Sequence, residues 1–200
     1  MSKPLRTILP EVTYHCFSRC QGLNKLLFDN FAKKCFMDAI EMCQLKYNFE
    51  LNAAEIVGNH FHLVIRTLQD EETISRIMQF IKARTAEMYN RATGRKGPFW
   101  NERFGSTILE ESDNPEHYLF TLLWYIAFNP VRKGESKDPR ENYISFIRCY
   151  LKDLKEGSEL QTIKITLHHY FYKLGNTFAE CVKRFLFYED AYRKRMALYF

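Results

Sequence analysis

No two of the six cysteines, Cys16, Cys20, Cys35, Cys43, Cys149 and Cys181, form a CxxC pair, and no Cys/His set has zinc-finger spacing. That argues against a structural zinc module and against a disulfide frame. Cys35 and Cys43 fall in an apolar, helix-patterned segment, where a free thiol behaves as a small hydrophobe. The expectation is reduced thiols and a cytoplasmic protein. No apolar run is long enough to span a bilayer; the longest, Tyr118 to Phe128, is too short. The first residues, Met1 to Pro10, lack the apolar core of a secretory leader. Internal repeats and low-complexity tracts are absent as well.

What is present is an aromatic-rich globular composition. Hydrophobic residues make up 46% of the 200, with 17 Phe, 12 Tyr and 2 Trp. A core can be buried, and rings are available to stack on bases. Net charge is +5, from 29 Lys and Arg against 24 Asp and Glu. This mild excess is compatible with nucleic acid without requiring it. The length suits one domain with an extension, or two small domains.

Val12 to Arg19 is rich in β-branched and aromatic residues and reads as a strand. Phe31 to Tyr47 has apolar residues at helical spacing. Phe49 to Val57 and Phe61 to Thr67 are strands around a Gly58-Asn59 turn. A long helix is expected over Thr73 to Arg91, capped by Thr73 and broken by Gly94 and Gly97-Pro98. Phe104 to Glu110 is a fourth strand. Asn114-Pro115 opens a helix through Tyr125 that should stop near Asn129-Pro130, because the residue before proline is pushed out of the α region. The order is β-α-β-β-α-β followed by a helix. It predicts an α+β, ferredoxin-like antiparallel sheet with helices on one face. Glu135 to Glu141 reads as a loop, and Tyr143 to Phe200 as mostly helical.

Three groups of residues carry chemistry. His60 and His62 sit two apart on a strand, so both imidazoles share one sheet face and form a two-point metal site. The plainer reading is two polar residues at a strand start. Tyr125 and Asn129 are four apart on a helix and share a face. An amide oxygen at Asn129 could complete the metal site, with Tyr125 one turn away. The plainer readings are a core tyrosine and a helix cap. The third group is basic and aromatic: Lys82, Arg84, Arg91, Arg95, Lys96, Phe99, Trp100 and Arg103, then Arg132 and Lys133. Such residues track phosphates and stack unpaired bases. They also make solvated helix faces and hydrophobic plugs.

Taken together these segments resemble the HUH single-tyrosine transposases, in particular the REP-associated tyrosine transposases. Gly58-Asn59-His60-Phe61-His62-Leu63-Val64-Ile65 is similar to the family's PNHxHLLL strand. Tyr125 to Gly134 is similar to its YIHxNPVRAG segment, Val12 to Arg19 to its opening strand, and Gly97 to Phe104 to its GxxWQxRF stretch. The match covers roughly residues 5 to 150.

The resemblance implies a catalytic domain over 1–150 and a helical extension over 151–200. It implies Tyr125 as nucleophile, His60 and His62 as ligands of Mg²⁺ or Mn²⁺, and Asn129 as a third ligand. The partner would be single-stranded or hairpin DNA, held by Arg19 and the basic set above, with no membrane role and a homodimer left open. The family has His two residues after the tyrosine where this chain has Ala127, and the opening SRG is Ser18-Arg19-Cys20. Two alternatives stand beside an active transposase. One is a domesticated hairpin-DNA binder of the same fold that no longer cuts. The other is an HUH relaxase or replication-initiation nickase.

Overall fold

The computed structural model describes residues 8–21, 26–152 and 163–197. The leader segment considered above falls largely outside these residues, as do 153–162 and 198–200 of the expected extension. Four strands form one sheet in the order β2-β3-β1-β4: β1 (Thr13–Arg19), β2 (Glu50–Val57), β3 (His60–Arg66) and β4 (Gly105–Ile108). All three pairings are antiparallel. With α1 (Asn30–Lys46) and α2 (Ile74–Thr93) this is the expected βαββαβ arrangement. The β2–β3 hairpin turns on two residues, and only Gly58 takes a positive φ, +56°. Glycine there avoids the Cβ penalty of that region, as type II′ turns require.

Period two along the strands divides the residues between two faces. Tyr14, Cys16, Phe61, Leu63 and Ile65 are buried, and the Phe61 ring stacks at 4.8 Å on Phe36 of α1. On α2, Ile74, Ile77, Met78 and Ile81 recur at helical spacing and are fully buried. The Asp29 and Thr73 side chains cap α1 and α2 by accepting backbone N–H bonds. The expected fourth strand is shorter than predicted: β4 ends at Ile108, and Leu109–Glu111 turns into a 3₁₀ helix.

Three helical elements meet the other side of the molecule. α3 (Pro115–Ala127) starts at the Asn114 cap, as expected. It ends two residues earlier than expected, at Ala127, and Asn129 opens a short helix, α4 (Asn129–Arg132), instead of closing α3. Phe128 keeps αR dihedrals between them, so the chain bends without turning away. Pro130 suits the first turn of α4, where its missing N–H costs nothing.

α5 (Ile147–Leu151) and α6 (Phe178–Ala197) complete the chain. The 150/151 boundary therefore falls inside α5. α6 packs on α3 through an aromatic cluster: Phe185 stacks on Trp124 at 4.9 Å, and Trp124 Nε1 donates to Phe185 O at 3.1 Å. Arg140 donates to both Glu189 carboxylate oxygens, at 3.0 and 2.6 Å. Thr166 N donates to Leu51 O at 2.8 Å, and His168 Nε2 lies 2.9 Å from Thr13 Oγ1. The C-terminal segment is thus laced to β1, β2 and α3. No helix among the described residues is long and apolar enough to cross a membrane.

Candidate active site

Register places four residues in one row across the sheet: Glu55 on β2, His62 on β3, Phe17 on β1 and Gly105 on β4. The next row holds Val57, His60 and Arg19. Alternation puts His60 and His62 on the same side, with ring centroids 5.1 Å apart. The structure brings Tyr125 to them. Its ring meets His62 edge-on at 6.0 Å and is half-buried. The Arg132 guanidinium lies 5.2 Å over the Tyr125 ring.

Burial and the surrounding positive charge keep the two imidazoles neutral. Burial, then the charges of Arg19 and Lys133, lower His60 below its ordinary pKa. Burial, then His15, His60 and Arg132, push His62 down to about 2. A neutral imidazole is the metal-binding form.

His62 Nδ1 is 2.9 Å from His15 Nε2, with the two rings stacked at 5.2 Å. His62 Nε2 is buried and has no hydrogen-bond partner. An orphaned buried nitrogen is costly unless something takes it. If Nε2 carries the lone pair, Nδ1 carries the proton and donates to His15. This is the arrangement in which a neighbour fixes the tautomer of a metal-binding histidine. The Asn129 amide is also buried, with Nδ2 unpartnered. Turning that amide over presents its oxygen instead, the atom a cation takes. No group of three or more His, Cys, Asp or Glu among the described residues could hold a metal. The two imidazoles share one face, and the Asn129 amide stands at the start of α4, which packs on β2; nitrogen and amide-oxygen donors of this kind leave coordination positions for phosphate oxygens and water. The residues present fit a divalent cation.

His15 was not anticipated. The signal lay in its parity with Phe17 and Arg19 along β1, but nothing in the sequence fixes the β1–β3 register that sets it against His62. Glu55 and Asn142 were missed too. Glu55 is fully buried, and burial raises its pKa to about 8. Its Oε2 accepts from Asn142 Nδ2 at 2.9 Å, and the same Nδ2 lies 2.8 Å from Ala127 O. The pair thus ties β2 to the end of the Tyr125 helix. A carboxylate inside the apolar run Ala53-Ala54-Glu55-Ile56-Val57 was the available clue.

The basic set divides. Arg19, Arg132 and Lys133 are exposed, and their charges act on the histidines. The others cluster along α2 and the loop after it. Lys82 donates to Ser18 Oγ at 2.8 Å and to Glu102 O at 2.6 Å. Arg84 pairs with Glu87 at 2.7 Å. Arg95 donates to Gly97 O and Pro98 O and so pins its own loop. Arg91, Lys96 and Arg103 are exposed. Trp100 differs from the open stacking surface expected of it. Its ring packs edge-on against Phe61 and Phe99, and its N–H donates to Lys82 O at 2.8 Å, so it plugs the core.

Comparison with known proteins follows this geometry. The IS200-like transposase family model matches residues 9–119, more than half of the chain. The chain belongs to that family of transposases. The matched segment carries both histidines of β3 and stops short of Tyr125. Among solved structures, a REP-associated tyrosine transposase bound to a REP hairpin superposes with a TM-score of 0.57 at 22% identity, over 70% of this chain and 79% of that one. A protein assigned as a transposase from Deinococcus radiodurans superposes with a TM-score of 0.40 at 19% identity, over 62% of this chain and 95% of that one. The first likeness shows the shared fold; the second is too loose to build on. No curated protein matches the chain.

Proposed function

We propose that this transposase cuts and rejoins single-stranded DNA through a covalent bond between Tyr125 and a 5′-phosphate. The observation that carries the reading is the meeting of Tyr125 with His62, whose Nε2 is left without a partner. His60, His62 and Asn129 would hold Mg²⁺ or Mn²⁺, which when bound polarises the scissile phosphate and offsets its developing charge.

The chain's own residues do the rest. The Tyr125 oxygen attacks phosphorus and releases its proton to water. The bond from phosphorus to the 3′ oxygen breaks, and that oxygen takes up a proton to leave as a hydroxyl. The phosphodiester is exchanged, not spent, so the reverse attack reseals the strand without ATP. Arg132, stacked over the phenol ring, sets a positive charge beside the place where the anionic phosphate must come. Arg19 and Lys133, exposed at the same rim, are placed for the flanking phosphates. His15 holds the His62 ring and tautomer. Ala127 is buried, its carbonyl is taken by Asn142, and it offers no titrating group. Proton transfer at Tyr125 therefore proceeds through solvent.

The test incubates the protein with Mn²⁺ or Mg²⁺ and labelled single-stranded hairpin DNA, resolved on a denaturing gel. A covalent adduct that disappears in Tyr125→Phe and persists in Tyr118→Phe supports the reading. An adduct that survives Tyr125→Phe refutes it. Tight binding with no adduct under either metal supports the non-cutting DNA binder.

A further inference from the structure

The sheet face that carries the histidines is covered unevenly. α3 and α4 pack over β2, and Asn129 at the start of α4 is buried. The same face is open at the Phe17–Arg19 end of β1 and at Thr107 of β4, whereas Thr13 and His15 further along β1 are buried, Thr13 against His168. Thr107, which shares the parity of Gly105, is exposed, and the Phe17 ring is 40% exposed. Phe17 sits between His62 and Gly105 in the row described above. Its ring is 6.3 Å from that of His62 and 5.4 Å from that of His15. It lies across Gly105: a Cβ built there would come within 2.5 Å of Phe17 Cε2 and Cζ. The missing side chain at 105 is what lets the ring settle beside the histidines.

We infer that Phe17 is a stacking platform for an unpaired nucleobase next to the phosphate held at His62 and Tyr125. This rests on the reading under "Proposed function" for the position of that phosphate. Three observations select a base over any other apolar occupant. The ring stands one side chain away from the site, on the scale that separates a phosphate from the base of its own nucleotide. The rim around it is cationic: Arg19 shares its strand face two residues on, and Arg132 and Lys133 act on the neighbouring histidines. Such a rim suits a polyanion and repels basic partners. Finally, Trp100, the other ring considered for stacking, is half-buried against Phe61 with its N–H on Lys82 O, whereas Phe17 is exposed. An aromatic face beside a basic track is how single strands are held without reading their sequence.

The experiment uses the full chain carrying Tyr125→Phe, in EDTA, so neither cleavage nor metal contributes. Two fluorescent probes of equal length and charge are titrated at fixed salt: dT12 and a dodecamer of abasic deoxyribose phosphates. Stacking predicts that the parent prefers dT12 by about five- to a hundredfold, the range of one base on one ring. Phe17→Ala should bring the two affinities close together by weakening dT12 alone. Gly105→Ala, which lifts the ring and leaves it in place chemically, should shrink the preference too. Phe17→Trp should keep it, and the indole introduced there should lose emission on adding dT12 but not on adding the abasic strand. This last variant serves even where Phe17→Ala folds poorly. An unchanged preference in Phe17→Ala, or an indole blind to dT12, overturns the inference. A parent that binds both probes equally does so as well, and points to a protein partner for this face. Because Tyr125 is disabled throughout, an adduct that survives Tyr125→Phe in the separate cleavage assay would sink the nucleophile reading and leave the platform standing.

Discussion

Replacing Glu55 with Gln should stabilise the protein at alkaline pH and leave it little changed at acid pH. Glu55 is fully buried, and burial lifts its pKa from 4.5 to about 8. Below pH 4.5 the group is protonated in both folded and unfolded chains, and it costs nothing. Between 4.5 and 8 the unfolded chain ionises while the folded one keeps its proton, so stability falls as pH rises. Above 8 the loss reaches a plateau. A span of about 3.5 units at 1.36 kcal/mol per unit gives roughly 5 kcal/mol as the ceiling. Glutamine keeps the shape and never ionises, and its single oxygen can accept from either the Ile56 amide or Asn142, which in Glu55 bond different oxygens. Urea unfolding of both proteins at pH 5 and pH 8.5, without metal, measures the difference. The variant should gain about 2–5 kcal/mol on the wild type between the two pH values. A wild-type-minus-variant difference that does not move with pH would show that Glu55 is ionised in the folded state, and that the Asn142 link holds a charge.

His15→Phe should weaken Mn²⁺ binding about 10–100-fold, the usual loss when a partner orienting a metal histidine is removed, and His15→Gln should recover part of it. A nitrogen-15 correlation spectrum of the metal-free protein should show His62 protonated at Nδ1 in the wild type and mixed in His15→Phe. Acid should destabilise the metal-free fold: His15, His62 and His168 have pKa values lowered by burial to about 4, 2 and 3. As pH falls below 6.5 the unfolded chain takes up protons the folded one refuses, up to about 1.36 kcal/mol per pH unit for each. With the Glu55 term, denaturation midpoints should peak at about pH 7, where the protons refused by the three histidines balance the one that Glu55 retains; a midpoint still rising as pH falls below 6 would contradict this. Phe185→Ala should cost about 3–5 kcal/mol by emptying the seat of α6 on Trp124. Calorimetry would read this as a single lowered transition, since α6 shares the core of α3.

The elements whose pattern is local were legible. His60 and His62 share a face because a strand alternates, and that holds whatever the strand pairs with. Asn114 announces α3 and Thr73 announces α2 through capping chemistry contained within a few residues. What depends on register or on the stacking of layers was not legible. His15 and Phe17 acquire meaning only when β1 slots between β3 and β4. The amphipathic face of α2 says which residues meet the core, but not that Lys82 would be spent on Ser18 and on the loop at Glu102. Trp100 is indistinguishable in sequence from an exposed stacking ring; only the cavity between Phe61 and Phe99 decides its fate. The break after Ala127 escaped because Pro130 stops one helix and starts the next equally well.

The seating of α3 between the sheet and α6 has a mechanical corollary. Trp124, the residue before Tyr125, is locked from behind by Phe185, and Ala127, two residues beyond Tyr125, is moored by Asn142 and through it to Glu55. A phenol so anchored has no arm on which to travel. If Tyr125 is the nucleophile proposed above, strand exchange moves the ends of the DNA past a fixed post.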